Sequence, residues 1–137
     1  MQSISTMSKY KIVIIEHDEE AFVFMQKGLS DLFEILGRVS DVSSLLLWLN
    51  QNSDNLPHVI LVEAYLPGQR GYEIIPLLQS NPGLSHIPVI VTSTILPDST
   101  IKNCLDQGAL FISKPESISN YKLFADMLHR LTEKKIY

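Results

Sequence analysis

The sequence predicts a three-layer α/β domain, an open doubly wound sheet of five parallel strands with about five helices divided between its two faces. Three observations carry this reading. Short β-branched runs alternate in order with longer stretches of helical period. The runs are apolar almost throughout, as in strands covered on both faces, instead of alternating with polar residues. The length, 137 residues, sits close to the ~150 residues usual for one domain.

The elements follow in order. Tyr10 to Ile15 (YKIVII) is the first strand, and the helix after it places Phe22, Met25, Leu29 and Leu32 on one face. Phe33–Val39 (FEILGRV) is the second strand. Ser40 or Asp41 caps a helix whose Leu45, Leu46, Trp48 and Leu49 form an apolar stripe. Beyond a polar connection closed by Pro57, His58–Val62 is the third strand, ending at Glu63, and a Pro67-Gly68 turn leads to a helix over Gly71–Gln79. Pro76 inside that helix is expected to cost a hydrogen bond and bend the backbone. Val89–Thr92 is the fourth strand, followed by Ser93 and Thr94, and the helix opened by Pro97-Asp98-Ser99 should stop at Gly108. Leu110–Ser113 is the fifth strand and runs into Lys114-Pro115. The last helix, Ser119 to Glu133, carries Leu123, Phe124, Met127, Leu128 and Leu131 as its expected buried stripe. Residues 1–8 read as a loose arm, 9–133 as the domain and 134–137 as a solvated tail.

Composition narrows the function classes. Eleven Lys and Arg against fifteen Asp and Glu give a net charge of −4, with 19% charged and 45% hydrophobic residues. That balance excludes a disordered polyelectrolyte and lacks the basic footprint of a nucleic-acid binder. Cys104 is the single cysteine and reads as a small buried hydrophobe. No leader pattern opens the chain and no apolar run approaches the ~20 residues that a bilayer needs, so a cytoplasmic protein without membrane contact is expected.

In an open sheet of this kind, ligands collect at the carboxyl ends of the strands. The residues there are Glu16, His17 and Asp18, then Glu63, then Ser93 and Thr94, then Lys114. Carboxylates, an imidazole, hydroxyls and an amine thus converge from separate parts of the chain. A hydrolase is disfavoured because no G-x-S-x-G elbow surrounds Ser93, and neither a G-x-G-x-x-G nor a Walker-type loop is present for a nucleotide. A flavin is disfavoured because the loop after the first strand is acidic where a phosphate cradle is rich in Gly, Ser and Thr.

This constellation resembles the receiver domain of bacterial two-component response regulators, over about Lys11 to Leu131. The resemblance implies a flavodoxin-like fold of strand order 2-1-3-4-5. It implies that Glu16-His17 stands at the family's metal-holding acidic pair and Glu63 at its phosphoacceptor aspartate. The stretch Ala64-Tyr65-Leu66-Pro67-Gly68-Gln69-Arg70-Gly71 is similar to the loop that follows that aspartate. Ser93 falls at the switch hydroxyl, Phe111 at the switch aromatic, and Lys114-Pro115 at the Lys-Pro pair, whose bond is usually cis in the family. Asp18 and Tyr65 complete the acidic pocket.

Two departures bear on the chemistry. The family has Asp where this chain has Glu63 and usually Asp where it has His17, whereas Glu16 is a common variant. The segment from Gly108 to Lys114 is also one residue shorter than usual, which bears on how the fourth helix packs. A carboxylate displaced by about 1 Å can cost ~10²-fold in a reaction that depends on alignment, and Mg²⁺ prefers oxygen ligands to imidazole. No cofactor is therefore expected, with Mg²⁺ at most weak unless Asp18 swings in. Glu63 is long enough to meet Lys114 and Ser93, which points to a pseudo-receiver, not an enzyme, fixed in one conformation and acting alone through protein contact. Its expected partner is a sensor kinase or downstream effector, met on the face of the fourth helix, fifth strand and fifth helix (Ile101, Lys102, Lys122, Asp126); a homodimer through that face is a further candidate. The alternatives are a working phosphoacceptor of unusual type, and a small metal- or ligand-binding protein of the same fold using Glu16, His17, Asp18 and Glu63.

Overall fold

The structure, a computed structural model, describes residues 9–136; the expected arm over 1–8 lies outside the described residues. The elements are β1 (Tyr10–Ile15), α1 (Glu19–Leu29), β2 (Phe33–Val39), α2 (Val42–Gln51), β3 (Val59–Glu63), a short hairpin of β4 (Tyr65–Leu66) and β5 (Gln69–Arg70), α3 (Ile74–Gln79), β6 (Val89–Ser93), α4 (Asp98–Asp106), β7 (Leu110–Ser113) and α5 (Tyr121–Ile136). The main sheet has the order β2-β1-β3-β6-β7, all parallel. With the hairpin set aside, this is the expected 2-1-3-4-5.

The sheet has a core on each face because successive side chains of a strand point to opposite sides. Val13, Ile15, Ile60, Val62 and Val91 meet Leu45 and Leu49 of α2, Ile74 and Leu78 of α3 and Cys104 of α4. Ile12, Ile14, Leu61, Ile90 and Ile112 meet Met25 and Leu29 of α1 and Phe124 and Leu128 of α5. Each such side chain contributes about 1.5–3 kcal/mol on leaving water, so both layers are needed to hold the sheet. The Gly108 stop is realised with φ of 94°, a conformation that favours glycine. Among the described residues, no helix is long and apolar enough to cross a membrane.

Several local expectations are corrected. The segment after the Pro67-Gly68 turn is first a hairpin strand, then a single 3₁₀ turn over Gly71–Glu73, and only then α3. Pro76 is thus the third residue of α3, which continues directly from the 3₁₀ turn, the Ile74 N–H donating to Gly71 O. The last helix begins at Tyr121, after a 3₁₀ turn over Ile118–Asn120, and runs to Ile136, so Lys134 and Lys135 form its last turn rather than a tail. Cations are favoured at that end of a helix. Leu123 and Met127, expected inside, are 60% and 46% exposed. The stripe that faces inward is instead Tyr121, Phe124, Ala125, Leu128 and Thr132, and α1 packs closely on the start of α5, where a Cβ added at Gly28 would stand 2.9 Å from Tyr121 Cβ. Finally, no peptide bond among the described residues is cis, so Lys114-Pro115 is trans. The Lys114 N–H continues the strand pairing by donating to Ser93 O at 2.9 Å, which the ordinary trans isomer accommodates.

Candidate functional site

Glu16, Glu63 and Lys114 extend β1, β3 and β7 at their carboxyl ends, in phase with Ile14, Leu61 and Ile112 on the face covered by α1 and α5. The fold brings them into contact. Lys114 Nζ donates to Glu63 Oε1 at 2.7 Å and to Glu16 Oε1 at 2.5 Å. The ammonium thereby spans from β7 over β6 to β3 and β1. Glu16 is 1% exposed, and the side chains of Lys114 and Glu63 are 11% and 9% exposed, so these are charge-assisted bonds largely out of water.

The remaining carboxylate oxygens are engaged by the backbone. Glu16 Oε2 accepts the Asp18 N–H at 3.2 Å, and Glu63 Oε2 accepts the Tyr65 N–H at 3.1 Å. Burial works against the charged form of Lys114, but the bonds to Glu16 and Glu63 outweigh it and hold the ammonium above the usual lysine range. Tyr121, at the start of α5, has its phenol pushed up by burial, then by the negative field of Glu16, Glu63 and Asp18 against the opposing pull of Lys114.

The other expected site residues are distributed less tightly. His17 is 45% exposed, its Nδ1 3.8 Å from Glu16 Oε2. Asp18 does not swing in: its Oδ1 accepts the Glu20 and Ala21 N–H groups at 2.9 and 3.2 Å and caps α1. Ser93 does not reach Glu63, since its hydroxyl donates to Ile95 O at 2.9 Å, the local turn supplying a nearer acceptor. Tyr65 is exposed and carries the Arg70 guanidinium 5.0 Å from its ring centroid across the β4–β5 hairpin. Phe111 is half-buried against the α2–α3–α4 core. On α4 and α5, Ile101 is half-buried, and Lys102, Lys122 and Asp126 are exposed.

Three residues escaped the sequence reading. Arg38 on β2 donates Nη1 to the Glu16 carbonyl at 2.9 Å, lies 5.4 Å over Phe22 and approaches Glu19 at 3.6 Å, so it ties the β1–α1 loop to the sheet edge. A lone arginine in an apolar strand was its visible signal. Gln69 accepts the Val42 N–H at 2.8 Å, fastening the hairpin to the start of α2. Thr92, paired in register with Glu63, is fully buried with Oγ1 lacking a hydrogen-bond partner.

The Mg²⁺ that the resemblance implies does not fit this donor set. An octahedral Mg²⁺ needs oxygens at ~2.0–2.1 Å. Here the two buried carboxylates already bind an ammonium, Asp18 is spent on a helix cap and His17 offers imidazole. Among the described residues, no group of three His, Cys, Asp or Glu side chains forms a metal-holding cluster.

No family model matches the chain. Curated relatives do. The two-component response regulator ORR13 of Oryza sativa subsp. japonica is 30% identical over 83 residues, which are 60% of this chain and 67% of that protein. A probable cyclic di-GMP phosphodiesterase of Vibrio cholerae serotype O1 is 26% identical over 117 residues, 85% of this chain but 26% of that protein. The chain thus spans about a quarter of the one relative and two thirds of the other. Among solved structures, the response regulator receiver domain from Rhodospirillum rubrum superposes with a TM-score of 0.75 at 26% identity, covering 90% of this chain and 93% of that one.

Proposed function

The chain belongs to the receiver domains of two-component response regulators, and we propose that within this family it is a pseudo-receiver, a domain that signals by protein contact in one fixed conformation instead of being switched by a phosphoryl group. The observation that carries this reading is the 2.7 Å contact between Lys114 Nζ and Glu63 Oε1. Glu63 stands where the family's phosphoacceptor aspartate would, and its extra methylene carries the carboxylate to the lysine that would otherwise meet phosphoryl oxygens. The domain's own acid thus takes the part of the missing group. Glu16 binds the same ammonium, and both Glu63 oxygens are held in hydrogen bonds that an approaching phosphodonor would have to compete with.

A domain without turnover acts through its surface, so the reading assigns no enzymatic activity to this chain. The face formed by α4, β7 and α5 is the proposed contact for a kinase or effector protein. Support comes from the exposure of Leu105, Leu123 and Met127 there, beside a shallow apolar cleft of about 440 Å³ lined by Phe111, Met127 and Leu131 among others.

Acetyl phosphate with Mg²⁺, followed by intact-protein mass spectrometry, tests the proposal. No added mass is expected. One phosphoryl group recovered on Glu63 overturns the reading in favour of a working acceptor of unusual type. One recovered on another residue leaves Glu63 in the role given to it here but removes the claim that the domain is not switched.

A further inference from the structure

We infer that Lys114 is the resident cation of this pocket, and that Lys114, more than the loss of a carboxylate at His17, closes the pocket to divalent metals. Each carboxylate oxygen of Glu16 and Glu63 accepts a hydrogen bond. Oε1 of both Glu16 and Glu63 accept from the Lys114 ammonium, at 2.5 and 2.7 Å. Oε2 of Glu16 accepts the Asp18 N–H and Oε2 of Glu63 the Tyr65 N–H, at 3.2 and 3.1 Å. The Glu16 carbonyl accepts Arg38 Nη1 at 2.9 Å. Four carboxylate oxygens and one loop carbonyl therefore serve donors of the chain itself, and two of those donors carry positive charge.

A divalent ion entering here would have to expel the ammonium or lie beside it. Beside it, the ion meets a like charge in a space shielded from water, where such repulsion is strong. Expelling it leaves Lys114, 11% exposed, without the carboxylates that offset its desolvation. With the ammonium in place, the two glutamates and the lysine sum to a single negative charge, half of what the bare carboxylate pair would offer a metal. A third carboxylate at position 17 would leave these bonds in place, since His17, 45% exposed with Nδ1 3.8 Å from Glu16 Oε2, supplies none of their donors.

The inference concerns cation occupancy alone. Its test uses no phosphodonor, so it can fail while the pseudo-receiver reading stands. Mn²⁺ is titrated into the ¹⁵N-labelled full chain, and paramagnetic broadening of the amides of residues 16–18 and 63–65 is followed. The wild type and His17→Asp are expected to show no site-specific broadening at millimolar Mn²⁺. Lys114→Met is expected to bind at least about tenfold more tightly than either, because removing one positive charge doubles the net charge of the pocket. Site-specific broadening in the wild type overturns the inference, and so does broadening gained by His17→Asp alone. Lys114→Met leaves two buried carboxylates unpaired, so its fold is checked by circular dichroism; a folded variant that still ignores Mn²⁺ also overturns the inference. Should it not fold, the exposed His17→Asp substitution decides the matter by itself.

Discussion

Gly71 lies directly against the backbone of Glu63: a Cβ placed on Gly71 would overlap the Glu63 carbonyl oxygen and come 2.5 Å from Val62 Cγ1. The Gly71 N–H donates to Ala64 O at 2.8 Å, folding the hairpin back onto the strand end that carries the central acid of the site. Gly71→Ala must push these two segments apart. A loss of roughly 1–3 kcal/mol is expected, as for an overpacked core position, read as a lower urea midpoint at unchanged slope. An unchanged midpoint would show that the hairpin does not hold this close approach.

Lys114→Met should destabilise the domain by about 3–5 kcal/mol, the cost of leaving buried carboxylates without their cation. The pH dependence has a definite sign. The folded value of Lys114 lies above the ordinary 10.5 and that of Tyr121 above the ordinary 10.0. Both groups therefore hold more proton in the folded chain, and their contribution is complete below those ordinary values and lost as pH rises through the folded ones. Stability should fall above about pH 10 in the wild type, and less steeply in Lys114→Met. Equal slopes in alkaline denaturation curves would contradict the assignment.

Thr92→Val should raise stability. Its hydroxyl is fully buried beside β3 with no hydrogen-bond partner, and an unsatisfied buried hydroxyl costs about 1–3 kcal/mol. Valine keeps the shape and removes the polar atom. Thermal unfolding checks the direction; a lower melting temperature would mean that the hydroxyl is satisfied in solution.

Gly28→Ala should separate α1 from α5. A Cβ there would stand 2.8 Å from the Tyr121 carbonyl oxygen and 2.9 Å from Tyr121 Cβ. The better helix propensity of alanine, worth up to about 1 kcal/mol, offsets only part of the overlap with a backbone atom that cannot swing aside. A net loss of about 1–2 kcal/mol is expected in chemical denaturation. A gain instead would indicate that the two helices part freely.

The sheet was legible because its cause is local. A β-branched run such as Ile12-Val13-Ile14-Ile15, apolar at every position, fits a strand covered on both faces and little else, and three such runs with two less regular ones, divided by helical stretches, leave few topologies. The strand-end rule then named Glu16, Glu63, Ser93 and Lys114. The face of α5 was less legible. The spacing of Leu123 and Met127 suits a buried stripe, but which side of a helix faces inward depends on what it packs against, here the sheet and α1.

The sequence by itself determined the strands, their alternation with helices and the set of residues able to meet at one edge, since these follow from side-chain volume, polarity and period along a continuous stretch of chain. Tertiary structure alone decided the pairings within that set: Lys114 divided between Glu16 and Glu63, Ser93 turned to its own loop, Asp18 spent on a cap and Arg38 drawn to the Glu16 carbonyl. Each of those choices is a competition between nearby donors and acceptors settled by distances of a few tenths of an ångström, and such distances exist only after segments remote in the chain have packed.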